Sequence, residues 1–138
     1  LNPDRLTVKS SEAITDAVTL ARQAGNPLVH DTHLLLALLK QDEGIVVPIL
    51  QKLGVAIPSL TQALEREMAR YPKQSDAQPT LAREVSAVLD AAEAEAKKLG
   101  DEYISTEHLL LGLATAKGSE SANLLKAQRV TKDGLEEA

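Results

Sequence analysis

The sequence predicts an all-α fold of eight helices, arranged as two duplicated four-helix repeats. Three observations carry this prediction: the types of apolar residue, their helical spacing, and an internal repeat. The 138-residue chain contains 23 Leu and 20 Ala, which favour helices, but only 9 Val, 5 Ile and 2 Tyr, and no Phe or Trp, with which to build a sheet. We therefore expect a single helical domain over 1–138.

The internal repeat relates residues 6–60 to residues 81–135 at a constant offset of 75 positions, without a gap. Of the 55 aligned pairs, 13 are identical, whereas this Leu- and Ala-rich composition gives roughly four or five by chance. Both copies keep a glycine, Gly25 or Gly100, followed eight residues later by a His-Leu-Leu-Leu run. Each position in one repeat therefore has a counterpart 75 positions away in the other.

The segment between the two copies is predicted to be a linker. Residues 71–79 are polar and contain two prolines, which is typical of an extended connection. This places repeat one at about 6–70 and repeat two at about 80–138.

Repeat one opens with an amphipathic helix. Thr7 is a suitable N-cap, apolar residues recur at spacings of 3, 4 and 7, and Gly25 provides a left-handed stop. Asp31 or Thr32 is expected to cap a second helix. The leucine run of that helix gives it a wide apolar face, so we expect it at the centre of the core.

Two further helices complete repeat one. A short helix over about 45–53 stops at Gly54. The fourth helix carries Pro58 in its first turn and ends before Pro72.

Repeat two shows the same order of signals. Thr80 is expected to cap its first helix, which ends at Gly100, and Ser105 is expected to cap its second. The remaining helices are expected at about 120–128 and from Thr131 onward.

The composition argues against several classes of function. The absence of Cys excludes disulfides, thiolate zinc sites and thiol catalysis. A net charge of −5 without a Lys/Arg cluster argues against nucleic acid as a partner. No apolar run approaches the roughly 20 residues of a membrane helix, so we expect a soluble, cytoplasmic protein with no membrane partner. Starting at Leu1, the chain reads as a piece of a longer protein.

The three histidines do not indicate a catalytic or metal site. His30 and His33 have i,i+3 spacing, but neither Cys nor a His-Glu-x-x-His motif accompanies them. His33 and His108 are counterparts just inside a helix start, which favours a structural role over acid–base chemistry. We therefore expect a binding module without catalytic residues, metal or cofactor.

Three motifs resemble those of the Clp amino-terminal domain. They are Leu6-Thr7-x-Lys9, the run His33-Leu-Leu-Leu-Ala-Leu-Leu39, and Tyr103-Ile-Ser-Thr-Glu-His-Leu-Leu-Leu-Gly-Leu113. With the stops at Gly25 and Gly100, the resemblance covers nearly all of 4–138. It is closest to the ClpB disaggregase branch because of the opening Asn2-Pro3-Asp4-Arg5-Leu6-Thr7-x-Lys9. The second repeat alone would suit the ClpA and ClpC branches almost as well.

The resemblance implies a mobile domain tethered to a hexameric ATPase, where it helps to capture unfolded or aggregated protein. ATP and magnesium would then belong to the ATPase domains outside this chain, and the isolated domain is expected to be monomeric. The alternative within the family is a ClpA- or ClpC-type domain that docks adaptor proteins. A small helical enzyme and a helix-turn-helix regulator are the rivals from other classes.

The resemblance also assigns substrate-handling residues. It places them at Thr7, Asp101 and Glu107, with Tyr103 at the rim of an aliphatic patch. Each of the first three has a structural alternative: Thr7 as an N-cap, Asp101 as a turn residue and Glu107 as a partner of the helix dipole. The implied apolar groove would border the first helix of repeat two, where this chain carries Ala91 and Glu95.

Overall fold

The structure, a computed structural model, describes residues 1–138 and contains eight α-helices and two short strands. A 3-10 turn at Pro3–Arg5 precedes the first helix. In chain order the elements are α1 (Val8–Gln23), β1 (Leu28–Val29), α2 (Asp31–Leu39), α3 (Val46–Lys52), α4 (Ile57–Met68), β2 (Thr80–Leu81), α5 (Arg83–Lys98), α6 (Thr106–Thr115), α7 (Glu120–Ala127) and α8 (Lys132–Glu137). The predicted all-α class with eight helices is confirmed.

The two strands tie the repeats together in a reciprocal way. β1 pairs in parallel with β2, so that Val29 faces Leu81. Leu6 forms an isolated parallel bridge with Ile104. Because Leu6 and Leu81 are counterparts, as are Val29 and Ile104, the two pairings are the same contact made once from each repeat.

α2 and α6 form the centre of the core, as the leucine runs predict. Both helices are buried over most of their length. α6 packs very closely on α5 at Gly112, where an added Cβ would overlap the Val88 carbonyl oxygen and lie 3.2 Å from Ala92 N. The glycine is therefore required by the close approach of the two helices.

Most predicted helix ends are confirmed. Thr7 and Thr131 are N-caps whose side chains accept from the backbone N–H three residues on. Ser105 is the N-cap of α6. Gly25 and Gly100 follow the ends of α1 and α5 with φ of 73° and 75°, a left-handed conformation that glycine adopts readily.

Two predicted caps are wrong. α2 begins with Asp31 as its first residue, and His30 is its N-cap. The Asp31 carboxylate is directed instead to the backbone N–H of Ser121 in α7. Thr80 lies in β2, and Ala82 is the N-cap of α5, because the strand pairing holds Thr80 in an extended conformation before the helix can begin.

No helix combines the length and the apolar character that crossing a bilayer requires.

Candidate functional site

Two of the residues expected to contact substrate, Asp101 and Glu107, line one cleft of repeat two, which we call the acidic cleft. Its volume is about 150 Å³. It lies against α6, between the C-terminal end of α5 and α8, with one residue contributed by α3. The apolar lining residues are Ile49, Leu99, Leu110, Leu111, Leu135 and Ala138, and the polar ones are Asp101, Glu107, His108 and Glu136.

His108 holds Asp101 in place. The backbone N–H of Ser105 donates to His108 Nδ1 at 2.9 Å. In the neutral ring the proton is therefore on Nε2, which donates to Asp101 Oδ2 at 2.8 Å. The His108 side chain is almost fully buried, whereas that of Asp101 is 48% exposed. The carboxylate is thus oriented through one oxygen and remains open at the cleft.

Glu107 lies in the first turn of α6, where the positive end of the helix dipole favours a carboxylate. Ser105 Oγ donates to Glu107 Oε1 at 2.7 Å. Glu107, Asp101 and Glu136 thus place three carboxylates around the aliphatic residues that line the acidic cleft. This arrangement can bind a segment that combines apolar side chains with N–H donors or positive charge.

Thr7 is the N-cap of α1, and its Oγ1 accepts from the backbone N–H of Ser10 at 3.1 Å. It lines a second, more open cleft of about 370 Å³, here called the Thr7 cleft, together with Ser105 and Thr106. Ser105 lies between the two clefts, because its hydroxyl donates to Glu107 of the acidic cleft while the residue lines the Thr7 cleft. Thr7 and the carboxylates therefore surround the same helix start without sharing one pocket.

Tyr103 and the outer face of α5 lie outside both clefts. Tyr103 is 52% exposed and lines neither cleft. Glu95 forms an ion pair with Lys132 at 3.1 Å, and this hydrogen bond raises the pKa of Lys132. The position expected to border an apolar groove is therefore an ionic contact between α5 and α8, and Ala91 lines neither cleft.

Several lining residues were missed by sequence reasoning. Leu99 and Glu136 line the acidic cleft, and Val8 and Ile45 line the Thr7 cleft. Val8 is 75% exposed although it is apolar. Val8 directly follows an N-cap, and Leu99 directly precedes a helix-ending glycine. Both positions lie outside the buried face of their helix, so an apolar residue there could have indicated a binding surface.

The histidines of repeat one make structural contacts. His30 Nδ1 donates to Glu84 Oε1 at 2.6 Å. His33 Nδ1 accepts from the His30 backbone N–H at 2.9 Å, and its Nε2 donates to Asn26 Oδ1 at 3.0 Å. The pKa of His33 is lowered to about 4, mainly by burial and to a smaller extent by the charge of the nearby His30. No group of three or more His, Cys, Asp or Glu side chains is placed to hold a metal ion.

Comparison with known proteins gives a consistent family relationship. Residues 5–128 match the profile of the Clp repeat (R) N-terminal domain. The chain is 40% identical over 134 residues to the chaperone protein ClpB of Mycobacterium tuberculosis; the match covers 96% of this chain and 16% of that protein. The chain thus spans about a sixth of the length of this curated relative.

Solved structures share the fold. The N-terminal domain of the ClpV1 ATPase from E. coli EAEC superimposes with a TM-score of 0.82 at 23% identity, covering 97% of this chain and 83% of that one. A ClpV N-domain in complex with a VipB peptide gives a TM-score of 0.77 at 18% identity, covering 96% and 82% of the two chains. At these identities the similarity concerns the fold alone.

Proposed function

Because the chain belongs to the Clp repeat N-terminal domain family, we propose that it captures unfolded or aggregated polypeptides as the N-terminal domain of a ClpB-type, ATP-dependent chaperone. The remainder of such a parent would form the hexameric ATPase and bind ATP and magnesium. The domain itself would be monomeric and non-catalytic, and the parent would act in the cytoplasm.

One observation carries the proposal: Asp101 and Glu107 flank an aliphatic cleft with their carboxylates open to it. Unfolded chains expose apolar side chains and unpaired backbone N–H groups together. A shallow cleft with an apolar floor and acidic rim provides partners for both, without the deep pocket that would select one sequence.

The neighbouring Thr7 cleft extends this surface. Val8 and Ile45 are exposed apolar side chains that line it, and Ser105 connects it to the acidic cleft. An extended segment could therefore contact both clefts across the start of α6. The ClpV N-domain complex with the VipB peptide supports the idea that a domain of this fold accepts a peptide.

The test is a fluorescence anisotropy titration of the chain into a labelled, permanently unfolded protein. We expect saturable, weak binding that Glu107→Gln reduces several-fold. Asp90→Asn is the matched control, because it removes one carboxylate from an exposed position that lines neither cleft.

Thr7 needs a control for its capping role. Thr7→Ala removes both the cap and the hydroxyl, at a stability cost of about 1 kcal/mol, whereas Thr7→Ser keeps both. A substrate role predicts weaker binding by the folded Thr7→Ala variant and near-normal binding by Thr7→Ser. If unfolded protein does not bind at all while one folded adaptor protein binds saturably, the adaptor-docking function replaces the one proposed here.

A further inference from the structure

Repeat one contains the counterpart of the acidic cleft, formed by the residues at equivalent positions. Subtracting 75 positions converts lining residues of the acidic cleft into residues of repeat one. Leu99, Asp101, Glu107, His108 and Leu111 correspond to Ala24, Asn26, Thr32, His33 and Leu36. The histidine–partner contact is kept, since His33 bonds Asn26 as His108 bonds Asp101.

The linker of the chain itself covers the polar edge of this counterpart. The apolar part remains an open cleft of about 300 Å³, lined by Ala24, His33 and Leu36 and, from the linker, by Lys73. The Tyr71 hydroxyl lies 2.7 Å from Thr32 Oγ1. The Tyr71 ring packs on His30 with a centroid distance of 4.2 Å, and lies 5.7 Å from the ring of His33. Partial burial raises the pKa of Tyr71 to about 12.

Backbone groups of the linker complete this contact. Asn26 Nδ2 donates to the Pro72 carbonyl at 3.1 Å. Gln74 N–H donates to the Gly25 carbonyl at 2.8 Å. The segment Tyr71–Gln74 therefore lies across the end of α1 and the start of α2 and is held there by these bonds.

The same positions are uncovered in repeat two. An added Cβ on Gly100 would meet nothing within 4 Å, whereas one on Gly25 would lie 3.2 Å from Gln74 O. Asp101 uses one oxygen for His108 and is half-exposed. Glu107 is exposed and bonded only to Ser105. These side chains bond only to Ser105 and His108 of the same repeat, and α8 lines the cleft beside them.

We propose that the polar edge of the acidic cleft, formed by Gly100, Asp101 and Glu107, binds a polypeptide segment carrying a tyrosine, held as Tyr71–Gln74 is held in repeat one. This deepens the proposed function and rests on it, because it names the substrate chemistry of the same site.

The residue differences between the repeats define the chemistry of the ligand. The tyrosine hydroxyl donates to the Glu107 carboxylate in place of Thr32 Oγ1. Asp101 cannot donate as Asn26 does, so it accepts a backbone N–H or a cationic side chain of the ligand. The Gly100 carbonyl accepts an N–H three residues after the tyrosine. Basic residues beside the tyrosine, like those flanking Tyr71 in the linker, complement the acidic rim.

The experiment uses a fluorescent peptide with the sequence of residues 68–77, titrated with the whole 138-residue chain. We expect amide NMR shifts at Gly100, Asp101, Glu107 and Leu111. Replacing the peptide's tyrosine by phenylalanine should weaken binding about tenfold, the scale of a hydrogen bond to a charged group. Glu107→Ala should remove that difference, and Asp90→Asn should leave it intact.

Asp101→Asn gives a second, gain-of-function test. It recreates the Asn26 side chain, which can donate to the peptide's proline carbonyl, so this peptide should bind several-fold more tightly. Equal affinity of the tyrosine and phenylalanine peptides, or shifts located elsewhere, would overturn the inference.

If this peptide does not bind the cleft but a tyrosine-free unfolded protein does, the inference fails while the proposed function stands. If only the peptide binds, the cleft assignment stands and the proposed function fails. If neither binds, both fail.

Discussion

The start of α2 in repeat one and the start of α6 in repeat two have the same backbone conformation, but their side chains make different contacts. Asp31 is 1% exposed, and its Oδ2 accepts from Ser121 N–H at 2.7 Å and from Ser119 Oγ at 3.2 Å. This carboxylate caps α7 and joins the repeats. Its counterpart, Thr106, lines the open Thr7 cleft instead.

The two helix starts show which contacts are common to both repeats and which differ between them. Both repeats keep the helix-ending glycine and the histidine that bonds back to the preceding turn. In repeat one Asn26 and Thr32 bond to the linker and Asp31 bonds to the start of α7, although the apolar part of the counterpart cleft stays open. In repeat two the corresponding groups are left open. The polar groups that repeat one uses internally are therefore the groups that repeat two presents at the surface proposed for binding.

The largest expected effect concerns the helix pair at the core of each repeat. Gly112→Ala should lower the free energy of unfolding by about 3 kcal/mol, because the new Cβ overlaps the Val88 carbonyl. The counterpart position already holds alanine, and Ala37→Gly should cost only about 1.5 kcal/mol in helix propensity and lost burial. Urea denaturation measures both. Equal costs would mean that the repeats do not differ in helix packing.

The next effect is the pH dependence of stability that His33 contributes. The pKa of His33 is lowered from 6.5 to about 4, so the unfolded chain binds more protons between these values. Stability from this group is present above pH 6.5 and is lost as the pH falls towards 4, by up to about 3 kcal/mol. His33→Gln removes the titrating group. The difference in unfolding free energy between wild type and variant should therefore shrink across this window, and a constant difference would contradict the assignment.

The smallest effect tests the contact that joins the repeats. Asp31→Ala should cost about 2 kcal/mol, because it leaves the Ser121 N–H without its acceptor at the start of α7. Thr106→Ala at the open counterpart should cost about 1 kcal/mol, the value of a buried methyl group. Thermal unfolding monitored by circular dichroism compares them. Hydrogen exchange of the Ser121 amide should accelerate only in the Asp31 variant, and unchanged exchange there would count against the cap.

The helices and the duplication could be predicted from sequence because their signals are local. The apolar spacing, the N-caps at Thr7 and Ser105 and the glycine stops each act within one or two turns. The all-α class and eight helices followed from these signals and are confirmed by the structure.

The contacts between repeats could not be predicted in this way. Asp31 meets Ser121 at a separation of 90 positions, and no local pattern distinguishes an N-terminal carboxylate that caps its own helix from one that caps another. Thr80 has the chemistry of an N-cap but is held in a strand by Leu28. The same limit applies to the linker, whose polar composition predicts an extended segment but not where Tyr71 packs.

The most direct test of the account is an amide NMR titration of the whole chain with an unfolded, apolar-rich polypeptide. The account predicts shifts around Gly100, Asp101 and Glu107, and none around the counterparts Gly25 and Thr32, which bond to the linker. Shifts of equal size in both sets, or shifts confined to repeat one, would contradict the assignment of the binding surface to repeat two.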